Sequence, residues 1–188
     1  VNYAQIFDCD IANGPGMRVS LFVSGCTHHC EGCFNAQTWD FAYGKKYTSE
    51  ITQALIQMMD RPYIKGITIL GGEPMEPENQ KDVLALLKAI RNAFRGSKNI
   101  WIYSGYVFEQ LTGKRPCRAS TLTAKEILSL ADVLVDGEFV MAQKDVSLAF
   151  RGSRNQRILD CKASLKSDTA VWLSEYNPAQ SKASITHD

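Results

Sequence analysis

Hydrophobic positions along this chain switch repeatedly between a strand period and a helix period. Arg18 to Ser24 (R-V-S-L-F-V-S) is short, apolar and β-branched, which predicts a buried strand. Thr48 or Ser49 suits a helix N-cap, and Ile51, Leu55, Ile56 and Met59 then share one face of a helix ending near Asp60. Ile67 to Leu70 predicts a second strand, closed by Gly71-Gly72. Pro77 suits a first helical turn, and Val83, Leu87, Ile90 and Phe94 follow at helical spacing up to a stop at Gly96. Ile100 to Tyr103 is a third strand, ending in Ser104-Gly105. A short helix from Tyr106 and a polar connection around Pro116 lead to a helix from Thr123 carrying Ile127, Leu128 and Leu130. Asp132 to Val135 is a fourth strand, ending in Asp136-Gly137.

Strands alternating with helices point to parallel βαβ units and an α/β fold. Four strands are too few for a closed eight-stranded barrel, so an open sheet or a partial barrel is expected. Chemistry in such folds gathers at the C-terminal ends of the strands. The small or reactive residues fall there: a cysteine-rich loop, Gly71-Gly72, Ser104-Gly105 and Asp136-Gly137. The 188 residues suit one domain, taken as 1–160, followed by a polar tail over 161–188 rich in Ser, Lys, Ala and Thr. Trp172 and Tyr176 leave room for a docking strand in that tail.

Composition narrows the classes. Apolar residues make up 45% and charged residues 22%, an ordinary globular balance. A net charge of +1 argues against nucleic-acid binding through bulk charge and against a polybasic membrane anchor. No apolar run reaches the roughly 18 residues of a membrane helix. The first residues lack a basic region followed by an apolar stretch, so a cytoplasmic location is expected. In a reducing compartment the six cysteines do not suggest a disulfide framework.

Three of those cysteines, Cys26, Cys30 and Cys33, form the pattern C-x3-C-x2-C directly after the first strand. Three thiolates on one short loop can hold three irons of a cubic 4Fe–4S cluster and leave the fourth open to a substrate or cofactor. A structural zinc site would need a fourth ligand from His28, His29 or Cys9. A tight turn with buried cysteines is the plainest alternative.

C-x3-C-x2-C followed by the aromatic Phe34 resembles the signature of the radical S-adenosylmethionine (radical SAM) superfamily. Gly71-Gly72-Glu73-Pro74, one βα unit later, resembles the element that holds the methionine amino group in that superfamily. Asn13 to Arg18 (N-G-P-G-M-R) resembles the loop of glycyl-radical activases. Phe34-Asn35, Thr38-Trp39, Trp101 to Tyr106, Val135 to Phe139 and Phe150 to Arg157 are similar to the activases of anaerobic ribonucleotide reductase.

The resemblance implies a partial, open parallel β/α barrel of the radical SAM type and a radical SAM oxidoreductase. Cys26, Cys30 and Cys33 would ligate the cluster. Gly71, Gly72 and Glu73 would hold the methionine end of SAM, and the backbone around Gly32, Cys33 and Phe34 would lie near the adenine. A 5′-deoxyadenosyl radical would take a hydrogen atom from a glycine of the large subunit of class III anaerobic ribonucleoside-triphosphate reductase, so no side chain need act as an acid or base. Reduced flavodoxin or a similar donor and a homodimer are further expectations of the resemblance. Another radical SAM activase or a small-molecule radical SAM enzyme is the alternative.

Other residues have plainer readings. His28 and His29 are expected to be exposed, and Trp101 to be core. Asp136 could cap the next segment or reach into the site, and Glu138 receives no role. Arg151, Arg154 and Arg157 read as a solvated face, with Arg151 the candidate to meet a carboxylate. Cys9, Cys117 and Cys161 read as ordinary thiols.

Overall fold

The four apolar runs form the centre of a single seven-stranded sheet in the computed structural model, which describes residues 1–181. In chain order the elements are β1 (Asn2–Asp10), β2 (Met17–Val23), β3 (Lys45–Lys46), α1 (Ser49–Met59), β4 (Ile64–Gly71), α2 (Pro77–Phe94), β5 (Asn99–Ser104), α3 (Phe108–Leu111), α4 (Leu122–Leu130), β6 (Val133–Asp136), β7 (Arg157–Asp160) and α5 (Cys161–Ser167). The sheet is open, in the order β3-β1-β2-β4-β5-β6-β7. Strands β2, β4, β5 and β6 run parallel, with Val19 opposite Ile67, Ile67 opposite Ile100 and Trp101 opposite Val133.

The flanks differ from the expected all-parallel sheet. β1 pairs antiparallel with β2 and β3, and β7 pairs antiparallel with β6. β1 carries mostly half-buried and exposed residues, so it lacks the apolar run that marks a buried strand. β7 is four residues long and opens on an arginine. Packing also continues past residue 160. Cys161 is buried, Asp160 caps α5 through the Ala163 amide (2.9 Å), and Trp172 bridges to Leu159. The rest of the tail reading, over 182–188, lies outside the described residues. Among the described residues no helix is long and apolar enough to cross a membrane.

Strand alternation separates two faces. Val19, Leu21, Ile67, Ile69, Ile100, Ile102 and Leu134 pack in one core with residues of α1, α2 and α4. The opposite face is mixed. Trp101, Val133, Val135 and Ile158 pack there against Tyr103, Phe150, Trp172 and Tyr176. Beside them Arg18 is fully buried; it donates to Thr68 Oγ1 (2.8 Å) and Ile67 O (2.8 Å) and sits 5.6 Å from the Trp101 ring centre. Burial lowers its pKa to about 10, against the pull of Tyr103 and Asp10. Gly14, with φ of +141°, admits that side chain: a methyl group there would lie 2.8 Å from the Arg18 side chain. The N-G-P-G-M-R segment is therefore a turn built around a buried arginine.

Arg157 is not on a solvated face. It donates to Asp136 (2.9 and 2.6 Å) and to Glu109 (3.2 and 2.8 Å), joining β6, β7 and α3. Asp136 is fully buried and also accepts from the Phe108 amide (2.7 Å) at the start of α3. Burial raises the Asp136 pKa, against the opposing pull of Arg157. Arg157→Met strands a buried charge, and the loss of unfolding free energy in urea is expected to be about 3–5 kcal/mol at neutral pH. A carboxylate whose folded pKa lies above its unfolded value gains stability as pH falls through the folded value, so the deficit shrinks on acidification. A pH-independent deficit near the ~1 kcal/mol of an exposed pair would contradict this account.

Candidate iron–sulfur and cofactor site

The loop after β2 and the C-terminal ends of β4, β5 and β6 surround one cavity. Its walls include Cys26, Cys30, Cys33, Gly71, Gly72, Glu73, Ser104, Gly105, Gly137 and Gln156. A second cavity adjoins it and shares Cys33, Phe34, Leu70, Tyr103, Phe139 and Gln156. The three cysteines and the Gly-Gly-Glu segment therefore line the first cavity, and Gly32, Cys33 and Phe34 line the second. Phe34 is 84% exposed at the rim of both spaces.

The cysteine loop is fastened to the segment that follows β4. Gly72 N–H donates to Val23 O (2.8 Å) and Glu73 N–H to Gly25 O (2.7 Å). Asn79 Nδ2 donates to Ser24 O (3.0 Å). The Thr27 amide (2.8 Å) and hydroxyl (2.6 Å) both donate to Glu76 Oε1. From the other side, Gly25 N–H donates to Thr38 O (2.7 Å) and Cys26 N–H to Trp39 O (3.1 Å). This explains the glycine at 72: a methyl group there would lie 2.7 Å from Gly25 O and 2.9 Å from Thr38 O. Its small size admits the cysteine loop itself.

Glu73 is as heavily committed as any side chain of the site. It is 1% exposed. Its Oε1 accepts from Met75 N–H and Ser104 Oγ (2.8 Å each). Its Oε2 accepts from Gly105 N–H (2.6 Å) and lies 3.1 Å from His28 Nε2. A carboxylate offers about four acceptor positions, and here all are taken. The sequence reading gave Glu73, with Gly71 and Gly72, to the methionine end of SAM; here its carboxylate also joins β4, β5 and the cysteine loop.

His28 is a correction to the sequence reading. It was expected to be exposed, but its side chain is 8% exposed and lies between Glu73 and Glu138, with Nδ1 2.8 Å from Glu138 Oε1. Its ring is tilted over Tyr106 at 4.4 Å, close against Gly105. Burial opposes its charged form, but the hydrogen bonds and charges of Glu73 and Glu138 outweigh that and hold its pKa up to about 9. Each ring nitrogen of His28 thus faces a carboxylate oxygen, an arrangement that favours the protonated ring. His29 is exposed and stacks on Trp39 at 4.5 Å.

The thiols differ from one another. Burial pushes Cys26 up to about 12; backbone hydrogen bonds from His28 and His29 lower it, and the charges of Glu73 and Glu76 raise it. Burial also raises Cys30. All six cysteines are free. Cys26 must therefore lose a proton on binding metal, so metal uptake depends on pH. Among the described residues no three His, Cys, Asp or Glu side chains close around a space for a single ion. Cys26, Cys30 and Cys33 instead stand along one cavity wall. That donor set of three thiols lining one cavity fits a cluster taking one thiolate per iron.

The 150–157 segment braces the far wall. Gln156 Oε1 accepts from the amides of Gly152 (2.8 Å) and Ser153 (3.1 Å), and its Nε2 donates to Gly137 O (2.9 Å). Asn155 Nδ2 donates to Glu138 O (2.8 Å). Arg151 binds the carbonyls of Arg154 and Gln156 and lies over the Trp172 ring at 5.2 Å. Sequence reasoning missed Glu76, His28 as a buried link, and Gln156. A second glutamate three residues after Glu73, just before the helix, was the available signal for Glu76. His28 gives only a histidine between two cysteines, and Gln156 gives none.

Comparison with known proteins agrees with this geometry. A family model described as a 4Fe-4S single cluster domain matches residues 12–159. The anaerobic ribonucleoside-triphosphate reductase-activating protein of Escherichia coli (strain K12) is 40% identical over 158 residues, covering 83% of this chain and 96% of that protein. The protein of the same name from Vibrio cholerae serotype O1 is 39% identical over 160 residues, covering 84% and 97%. That from Enterobacteria phage T4 is 37% identical over 158 residues, covering 84% and 93%. With three thiols on one cavity wall and this likeness running through all the strands that build it, the chain belongs to the family of anaerobic ribonucleoside-triphosphate reductase-activating proteins.

Proposed function

We propose that this chain is a radical SAM activase that installs a glycyl radical on an anaerobic ribonucleoside-triphosphate reductase. The observation that carries the reading is the single cavity formed by Cys26, Cys30, Cys33 and the Gly71-Gly72 strand end, in a chain about 40% identical to proteins named for that activation. The open sheet is read as a partial β/α barrel of the radical SAM type, its cavity at the C-terminal strand ends.

When bound, the cluster supplies one electron and SAM supplies the 5′-deoxyadenosyl group that takes the glycine hydrogen atom. The protein's part is to hold and to exclude. Cys26, Cys30 and Cys33 would ligate three irons, leaving the fourth to the cofactor. The backbone of Gly71 and Gly72 would meet the methionine end, with Glu73 keeping that wall in place through Ser104, Gly105 and His28. Gly32, Cys33 and Phe34, shared with the adjoining cavity, would lie along the adenosine. No side chain need move a proton for transfer of a hydrogen atom between carbons. The partner's glycine would enter over the exposed Phe34.

Each of Cys26→Ala, Cys30→Ala and Cys33→Ala is expected to abolish glycyl radical formation on the reductase. The assay is anaerobic electron paramagnetic resonance with SAM and dithionite. Radical formation by any of the three at the wild-type yield would sink the ligand assignment.

An open cavity that admits a folded partner also predicts a preference for that partner. A short peptide spanning the glycine is expected to be a much poorer hydrogen donor than the intact reductase. Equal rates of 5′-deoxyadenosine release would contradict this.

A further inference from the structure

Glu76 lies outside every motif discussed so far, yet it is fully buried beside the cysteine loop. It occupies the N-cap of α2, where a side chain ordinarily turns back to the helix amides. Here it makes no such bond and crosses to the loop instead. Oε1 takes both the amide and the hydroxyl of Thr27, the residue after Cys26. Oε2 accepts from Arg118 Nη1 (2.7 Å) and Tyr106 Oη (3.3 Å). Arg118 is 42% exposed on its other side and donates to Glu78 (2.6 Å).

A buried carboxylate is costly to hold, and Arg118, its cation among the described residues, lies half in solvent. A helix cap needs no charge, and a threonine side chain can be held by a neutral acceptor. Both cheaper solutions are passed over in favour of a charge next to the first cysteine.

We propose that Glu76 is a positioning residue for the cluster. Its carboxylate fixes the Cys26–Cys30 span through the amide and hydroxyl of Thr27, the residue after Cys26, and stands between that span and the Arg118 guanidinium. The inference rests on the cluster reading above. Iron–sulfur potentials respond to nearby net charge, so Glu76 favours the oxidised cluster and sharpens its reducing power, and Arg118 moderates the effect.

The test is the midpoint potential of the anaerobically reconstituted cluster in the full chain, read by redox-poised electron paramagnetic resonance, with iron content and circular dichroism measured beside it. Glu76→Gln keeps an acceptor for Thr27 and removes the charge; its midpoint is expected to move to a more positive value. Arg118→Gln, at the half-exposed end of the pair, leaves Glu76 less balanced; its midpoint is expected to move to a more negative value. Shifts of opposite sign cannot come from general loosening of the loop. If Glu76→Gln fails to fold, Arg118→Gln carries the test alone. Unmoved midpoints, or shifts of one sign in both variants, overturn the proposal while leaving the cluster reading intact. A wild-type chain that takes up no iron overturns the cluster reading and this inference together.

Discussion

Two buried carboxylates, Glu73 and Glu76, hold the cysteine loop in place, and the site depends on them. They lie three residues apart in the segment between β4 and α2, and each reaches a different part of the loop. Together they accept from Thr27, Ser104, Gly105, Tyr106, Arg118 and Met75, and Glu73 also pairs with His28. A buried charge is tolerated only when its acceptor positions are filled, so these contacts are required of one another. If the loop is displaced, Glu76 loses both Thr27 donors and Glu73 loses His28.

The sheet supplies the rest of the constraint. Parallel order brings the ends of β4, β5 and β6 to one edge, where Gly71-Gly72, Ser104-Gly105 and Asp136-Gly137 line up. Glycine at 72 lets the cysteine loop pass against the strand end. Behind the cavity, Arg18 fills the face of the sheet that the helices leave uncovered, with each of its three nitrogens donating to a carbonyl or hydroxyl. At the far edge Arg157 neutralises Asp136 and fixes the segment that carries Gln156. The helical face carries the larger apolar core, and the other face carries a smaller apolar cluster beside the buried Arg18.

Much of this was legible in the sequence because it depends on periodicity. The four parallel strands and the helices α1, α2 and α4 each announce themselves by an apolar run or stripe, and their boundaries fall within a few residues of those read from the pattern. The cysteine spacing and the Gly-Gly-Glu segment are local signals, and the fold brings them to one cavity. What stayed hidden depends on long-range pairing. β1 is mostly half-buried or exposed and lies between β2 and the two-residue edge strand β3, and β7 is an edge strand with only two buried residues, so neither carries a run long enough to mark it. Whether His28 and Arg157 are exposed is decided by Glu73, Glu138, Asp136 and Glu109, residues 21 to 110 positions away. A charged residue read in isolation defaults to the surface; only the fold supplies the partner that lets it be buried.

The claim on which the account turns is that three cysteines hold a cluster whose remaining iron is open to SAM. Anaerobic reconstitution with iron and sulfide, dithionite reduction, and electron paramagnetic resonance with and without SAM address it directly. The account predicts the signal of a reduced 4Fe–4S cluster whose g-values change when SAM is added. A reduced cluster whose spectrum is indifferent to SAM, or a colourless chain that holds zinc, would contradict it.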